Sequence, residues 1–126
     1  MLCELCGIRE ANQRHHKIFR SKVKSLEHSE LNIAHICYEC HYKIHHNQGR
    51  DLDLKLKLSF QNQLEILFDK SYLTYEEIKE VLQISDRCMK NLLKTIQYTK
   101  DGYKREDVIM VCMGGRLYEW WFNIYR

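Results

Sequence analysis

An α+β fold in two unequal parts is what this sequence predicts: a short unit rich in cysteine and histidine, then a mostly helical, helix-turn-helix-like region. Three observations predict it. Two CxxC pairs, Cys3-Glu4-Leu5-Cys6 and Cys37-Tyr38-Glu39-Cys40, bracket the first part. All seven histidines lie within residues 1–49. From residue 50 onward histidine disappears and hydrophobic residues recur at helical steps. Gly49-Arg50 marks the boundary, so the expected organisation is 1–49 for the first unit, 50–70 for a connecting helix and 71–126 for the C-terminal region. Neither part of a 126-residue chain can bury a large core alone, and the cysteines are the obvious staple.

Composition narrows the function classes. No run of about 18 apolar residues exists, so no membrane span is expected. The start carries no apolar segment behind a basic stretch, so a secretory leader is not expected either. In the cytosolic setting this implies, six cysteines serve metal rather than disulfides. The net charge of +3 is mild, but its distribution is uneven. Residues 9–24 hold Arg9, Arg14, Lys17, Arg20, Lys22 and Lys24 against the single acid Glu10, a segment suited to a phosphate backbone or simply a solvated loop.

The two CxxC pairs are separated by thirty residues. Two-residue spacing lets both thiolates of a knuckle reach one ion, and two knuckles complete a closed tetrahedral sulfur site. Cys3, Cys6, Cys37 and Cys40 are therefore expected to bind structural Zn²⁺, with Gly7 supplying the tight turn after the first pair. A redox CxxC accounts for one pair and not two. Such a site alone names no function.

The histidines separate this chain from an ordinary zinc ribbon. His15-His16 lie between the knuckles, Asn32 follows sixteen residues after His16, and His41 and His45 follow the second pair. Four residues apart on a helix, His41 and His45 project from one face and can bind one cation. The cysteines already close the first site, so the histidines are expected to form a second, open one. An open metal site beside a base is a hydrolase arrangement.

At this point residues 3–46 resemble the HNH, or ββα-metal, nucleases, in the subgroup braced by two CxxC knuckles. The matching pieces are Cys3-x-x-Cys6, His15-His16-Lys17-Ile18-Phe19-Arg20-Ser21, Leu31-Asn32-Ile33 and Ile36-Cys37-x-x-Cys40-His41-x-x-x-His45. The resemblance implies His16 as the general base that activates water and His15 as a metal ligand. It implies Asn32 as the middle signature residue, which either binds the metal or pins the loop that orients the base. His41 matches the final signature residue and a catalytic ligand; His45 matches the additional histidine ligand of the colicin-like members. The family often has proline where Phe19 stands and glycines where Val23–His28 stand, differences of loop shape that leave the ligands intact. On a regular strand, His15 and His16 point to opposite faces, so both serve one site only if the strand end twists or bulges. His28, His35 and His46 are expected to be loop, structural and solvent-exposed residues.

The second half offers a reader or a brace. From Asp51 to about Lys70, Leu52, Leu56, Phe60, Leu64 and Leu67 form a helical stripe. Thr74 and Glu77 form a capping box opening a helix to about Leu82, which buries Ile78, Val81 and Leu82. Ser85 caps a second helix with Met89, Leu92, Leu93 and Ile96 inward and Arg87, Lys90, Asn91 and Lys94 outward. That outward face suits phosphates and base edges. Asp101-Gly102 signals a hairpin, and a short helix from Arg105 stops at Gly114-Gly115. Residues 73–113 loosely resemble the excisionase-like winged helix-turn-helix family, which reads DNA. The aromatic end, Tyr118, Trp120, Trp121, Phe122 and Tyr125, has three readings: packing back on the chain, a homodimer contact, or base stacking.

The expected function is a phage-type, cytoplasmic endonuclease acting on DNA with a catalytic divalent ion, Mg²⁺, Mn²⁺, Ni²⁺ or Zn²⁺. Lys17, Arg20, Lys22, Arg87, Lys90, Asn91 and Lys94 are its candidate DNA contacts. The rival from another class is a zinc-stabilised DNA-binding regulator without cleavage activity, against which the joint presence of His15, His16, Asn32, His41 and His45 counts.

Overall fold

The computed structural model describes residues 1–119. The expected behaviour of Trp120, Trp121, Phe122 and Tyr125 lies outside them. The described residues form an α+β chain with five α-helices and two small antiparallel sheets.

The first sheet pairs β1 (Gln13–His16) with β2 (Ile33–Ile36), setting His15 opposite Ala34 and His16 opposite Ile33. Helix α1 (Tyr38–His45) follows directly, giving a β-β-α unit. Cys37 is its N-cap, its Sγ accepting from the Cys40 amide at 3.4 Å. The second knuckle therefore starts the helix as well as presenting sulfur, and this fixes the rotational phase of His41 and His45. At the first knuckle the Leu5 amide donates to Cys3 Sγ at 3.4 Å, and Gly7 takes the expected left-handed turn at φ +65°. Glu4 donates its amide to the His35 carbonyl at 3.0 Å, so that knuckle is stitched to β2 beside its partner. Cys3, Leu5, Ala34, Ile36, Cys37, Cys40 and Leu56 make a small core around the sulfurs.

Helix α2 (Arg50–Leu67) is the expected connecting helix, with Leu56, Phe60 and Leu64 buried. The stripe departs from expectation at its end. Leu67 is exposed, and the chain leaves the helix at Phe68, which is fully buried in its place. Strand β3 (Tyr72–Leu73) was not legible in the sequence. It pairs with β5 (Gly102–Lys104), whose other neighbour is β4 (Tyr98–Thr99). A side chain at Gly102 would meet the Leu73 carbonyl oxygen at 2.7 Å, so glycine is what lets β3 and β5 close. Helices α3 (Tyr75–Leu82) and α4 (Asp86–Leu93) begin at the expected caps, Thr74 with its full capping box and Ser85. Gln83 joins them in the left-handed conformation at φ 55°. Helix α5 (Arg105–Cys112) ends ahead of Gly114 and Gly115.

The larger core does not follow the boundary at residue 49. Ile18, Val23 and Leu26, from the loop between β1 and β2, join Phe60, Leu64, Ile78, Leu82, Met89, Leu92 and Val108 in one buried cluster. The loop is thus built into the helical region. No described helix is long and apolar enough to cross a membrane.

Candidate functional site

Cys3, Cys6, Cys37 and Cys40 converge, all four sulfurs lying within 4.8 Å of one another. Zinc–sulfur bonds in a tetrahedron place sulfurs about 3.8 Å apart. Cys6 and Cys37 Sγ are 3.9 Å apart, a separation that suits a shared ion. The Cys6 thiol is drawn down to about 6, chiefly by the backbone N–H groups of Arg9 and Ile8. Burial, then the neighbouring sulfurs, push Cys40 up to about 12. Four thiols packed this closely cannot all ionise without a cation among them, which is how metal binding becomes folding energy. The cluster could hold a structural metal ion, and its soft donor set suits zinc.

A second group forms from histidines of β1 and α1. His15, on β1, and His41 and His45, one turn apart on α1, each bring a ring nitrogen within 4.8 Å of the others. His41 and His45 meet through their Nε2 atoms at 3.1 Å. His15 is 3 % exposed, and its Nε2 is buried without a hydrogen-bond partner. Burial, then the charges of His41, His45, His16 and Lys57, holds its imidazole down to about 4, so the ring is neutral. His41 is lowered by burial and by His45. Two ligands of a zinc-like ion at 2.0–2.1 Å lie about 3.3 Å apart, close to the 3.1 Å between His41 and His45. Phe19 closes one wall, stacked on His45 at 6.3 Å and edge-on to His15 at 5.6 Å. Lys57 Nζ stands 5.0 Å from the Phe19 ring centroid and pairs with Asp53 at 2.6 Å.

His16 stands apart from that triplet. Its Nε2 lies 2.9 Å from the Glu27 carbonyl oxygen. A carbonyl can only accept, so Nε2 carries the proton and Nδ1 keeps the lone pair. Strand β1 is regular to its last residue, and His16 is that residue. The chain turns beyond it, and His15 and His16 line one cleft of about 440 Å³, together with Arg14, Phe19, Arg20, Ser21, His41 and His45. No bulge is needed.

Asn32 is fully buried, and both ends of its amide are engaged with backbone. Its Oδ1 accepts from the Ile18 amide at 2.9 Å, while Nδ2 donates to the carbonyls of Ile18 at 3.0 Å and Leu26 at 3.3 Å. Of its two expected roles, this geometry is the pin: one side chain ties the strand exit to the turn before Glu27.

The candidate DNA contacts divide. Lys17 is a correction: it is 3 % exposed, its Nζ donates to Gln63 Oε1 at 3.0 Å, and burial lowers its pKa. The strand exit sends it inward against α2, away from any phosphate. Arg20 lines the histidine cleft, its Nη1 3.2 Å from Glu27 Oε1. Arg87, Lys90, Asn91 and Lys94 are exposed on and just beyond α4, as expected. A second groove of about 400 Å³ brings Lys22 and Lys24 of the loop beside Asn91 and Lys94, over a floor including Val23, Leu92 and Ile96. His28 is exposed, His46 stacks on Tyr42 at 3.8 Å, and His35 sits half-buried in β2; none joins the cluster. Phe19, Lys57 and the Glu27 carbonyl are the neighbours sequence reading missed. Only their place in space marks them.

Compared with family models, curated proteins and solved structures, the chain finds no match.

Proposed function

We propose that this chain is a metal-dependent endonuclease of the HNH type that hydrolyses DNA phosphodiester bonds. The observation that carries this reading is the convergence of His15, His41 and His45 in one cleft with His16, whose protonated nitrogen is already spent on a carbonyl. Three histidine ligands leave coordination positions open, as a hydrolytic centre requires and a structural one does not. The orphaned His15 Nε2 and the facing nitrogens of His41 and His45 fit such an ion. When bound, a divalent cation supplies Lewis-acid chemistry to the scissile phosphate and its 3′ oxygen.

The chain's own residues do the rest. His16 Nδ1 takes a proton from water as the water oxygen attacks phosphorus and the P–O3′ bond breaks, the departing 3′ oxygen taking a proton from solvent. The Glu27 carbonyl stabilises the imidazolium so formed. Asn32 keeps the strand exit and the turn in register, so that base and ligands do not drift apart. Arg14 and Arg20 at the rim favour an anionic substrate. Exposed Lys22, Lys24, Arg87, Lys90, Asn91 and Lys94 extend that preference along the loop and α4, which fits a polyanion better than a small phosphate ester. One such centre per chain cuts one strand, so a nick is the expected product of a monomer.

The test is supercoiled plasmid and branched DNA incubated with the zinc-loaded chain and Mg²⁺, Mn²⁺, Ni²⁺ or Zn²⁺. The expected result is an open-circle product that a chelator abolishes. DNA binding with no cleavage in any ion would instead make the chain a zinc-stabilised DNA-binding protein.

A further inference from the structure

Glu27 offers its carbonyl to His16 from a turn that the β-β-α unit does not hold by itself. The turn spans Lys24–Leu26 and closes through the Glu27 amide on the Lys24 carbonyl at 3.0 Å. Two residues on, Ser29 is fully buried, and its Oγ donates to the Leu82 carbonyl at 2.6 Å. Leu82 is the last residue of α3, and its carbonyl is among those a helix end leaves without an intrahelical partner. Ser29 supplies that partner. Its own amide donates to the Leu26 carbonyl at 3.2 Å, and its carbonyl accepts from the Asn32 amide at 2.9 Å. Leu26, fully buried, shares a core with Leu82 and Leu92, while the turn lies against α4. An unbroken path therefore runs from the bend between α3 and α4, through Ser29 and the turn, to the His16 ring.

We propose that Ser29 is a positioning residue: it anchors the Glu27 carbonyl to the α3–α4 pair, so that the C-terminal region sets the orientation of His16. The consequence for activity rests on the endonuclease reading above; the structural coupling does not. The polar link is selective in a way packing is not. An alanine at position 29 leaves the Leu82 carbonyl buried and unpaired, and the turn is then free to shift relative to α3. A shift of about 1 Å at a catalytic group costs up to about 100-fold in rate.

The experiment uses full-length, zinc-loaded, ¹⁵N-labelled protein and reads the His16 ring nitrogens by NMR, beside plasmid cleavage and thermal melting. In the parent, His16 is expected as one tautomer with a hydrogen-bonded Nε2–H. Ser29→Ala is expected to spread that signal between tautomers and to lower kcat by about 10- to 100-fold with KM little changed. Ser29→Thr, which keeps the hydroxyl, is expected to restore both. If Ser29→Ala does not fold, Ser29→Cys, with its weaker donor, is expected to give a partial change of the same sign. A folded Ser29→Ala or Ser29→Cys whose His16 signals and kcat match the parent overturns the proposal. If the parent cuts nothing in any ion while Ser29→Ala still shifts the His16 signals, the coupling stands and the endonuclease reading fails.

Discussion

The Nε2 atoms of His41 and His45 face each other at 3.1 Å across one turn of α1. Two imidazole nitrogens at that distance share one proton or one cation. His15 brings a ring nitrogen within 4.8 Å of them, and its buried Nε2 has no partner; the proposed cation would account for all three. The four cysteine sulfurs make a separate set.

Two sets imply separable losses. Cys37→Ser removes one sulfur and the N-cap of α1 together, and is expected to lose zinc and most of the folded population. His41→Ala is expected to keep zinc and the fold while losing cleavage. Metal analysis and circular dichroism on both variants check this, and equal zinc loss in the two would merge the sites.

Leu26 tests whether the loop belongs to the helical core. It is fully buried between elements from both halves of the chain, so Leu26→Ala is expected to cost about 2–5 kcal/mol in denaturant unfolding. For the same reason a chain cut after residue 70 strands Ile18, Val23 and Leu26 without their partners, and is expected to aggregate. A monomeric, cooperatively folded 1–70 fragment would contradict this.

These contacts also mark where the sequence stopped being readable. The knuckles, the capping box at Thr74, the cap at Ser85 and the Asp101-Gly102 hairpin are local: a few neighbouring residues determine each, and each appears where expected. Strand β3 exists because β5 pairs with it, about thirty residues away, and its two residues carry no pattern of their own. Lys17 reads as a surface cation because its neighbours are basic; its burial depends on α2 passing behind the strand exit. The histidine cluster was legible as a set of ligand types at helix spacing. The carbonyl that fixes the His16 tautomer was not, because any residue at position 27 could offer one.

The capping box gives a pH dependence. Lys70, then the Thr74 amide, draws the Glu77 carboxyl down to about 2. A carboxyl depressed on folding stabilises above its unfolded value and stops doing so as pH falls through its folded value. The contribution is therefore expected to fade from about pH 4.5 toward 2, and Glu77→Gln, which keeps an acceptor but no charge, should flatten that part of the acid limb. An unaltered acid transition in the variant would show that the pair contributes nothing.

Exposed cations on α4 are expected to act through phosphates. Lys90→Ala and Lys94→Ala should each weaken DNA binding across unrelated sequences and reduce the slope of log K against log salt by about 1. Asn91→Ala, by contrast, is expected to relax sequence preference with the slope kept. Binding assays on zinc-loaded protein without added divalent ion, at several salt concentrations, separate the two behaviours, and an unchanged slope in both lysine variants would place the nucleic acid elsewhere.

His16 carries the central claim, since it is the residue assigned to take the proton from water. Single-turnover nicking of supercoiled plasmid, with zinc-loaded protein and saturating divalent ion, compares the parent with His16→Ala. The expected result is a loss of about 100-fold or more in rate, with DNA affinity and zinc content retained. A His16→Ala chain that nicks as fast as the parent would contradict it.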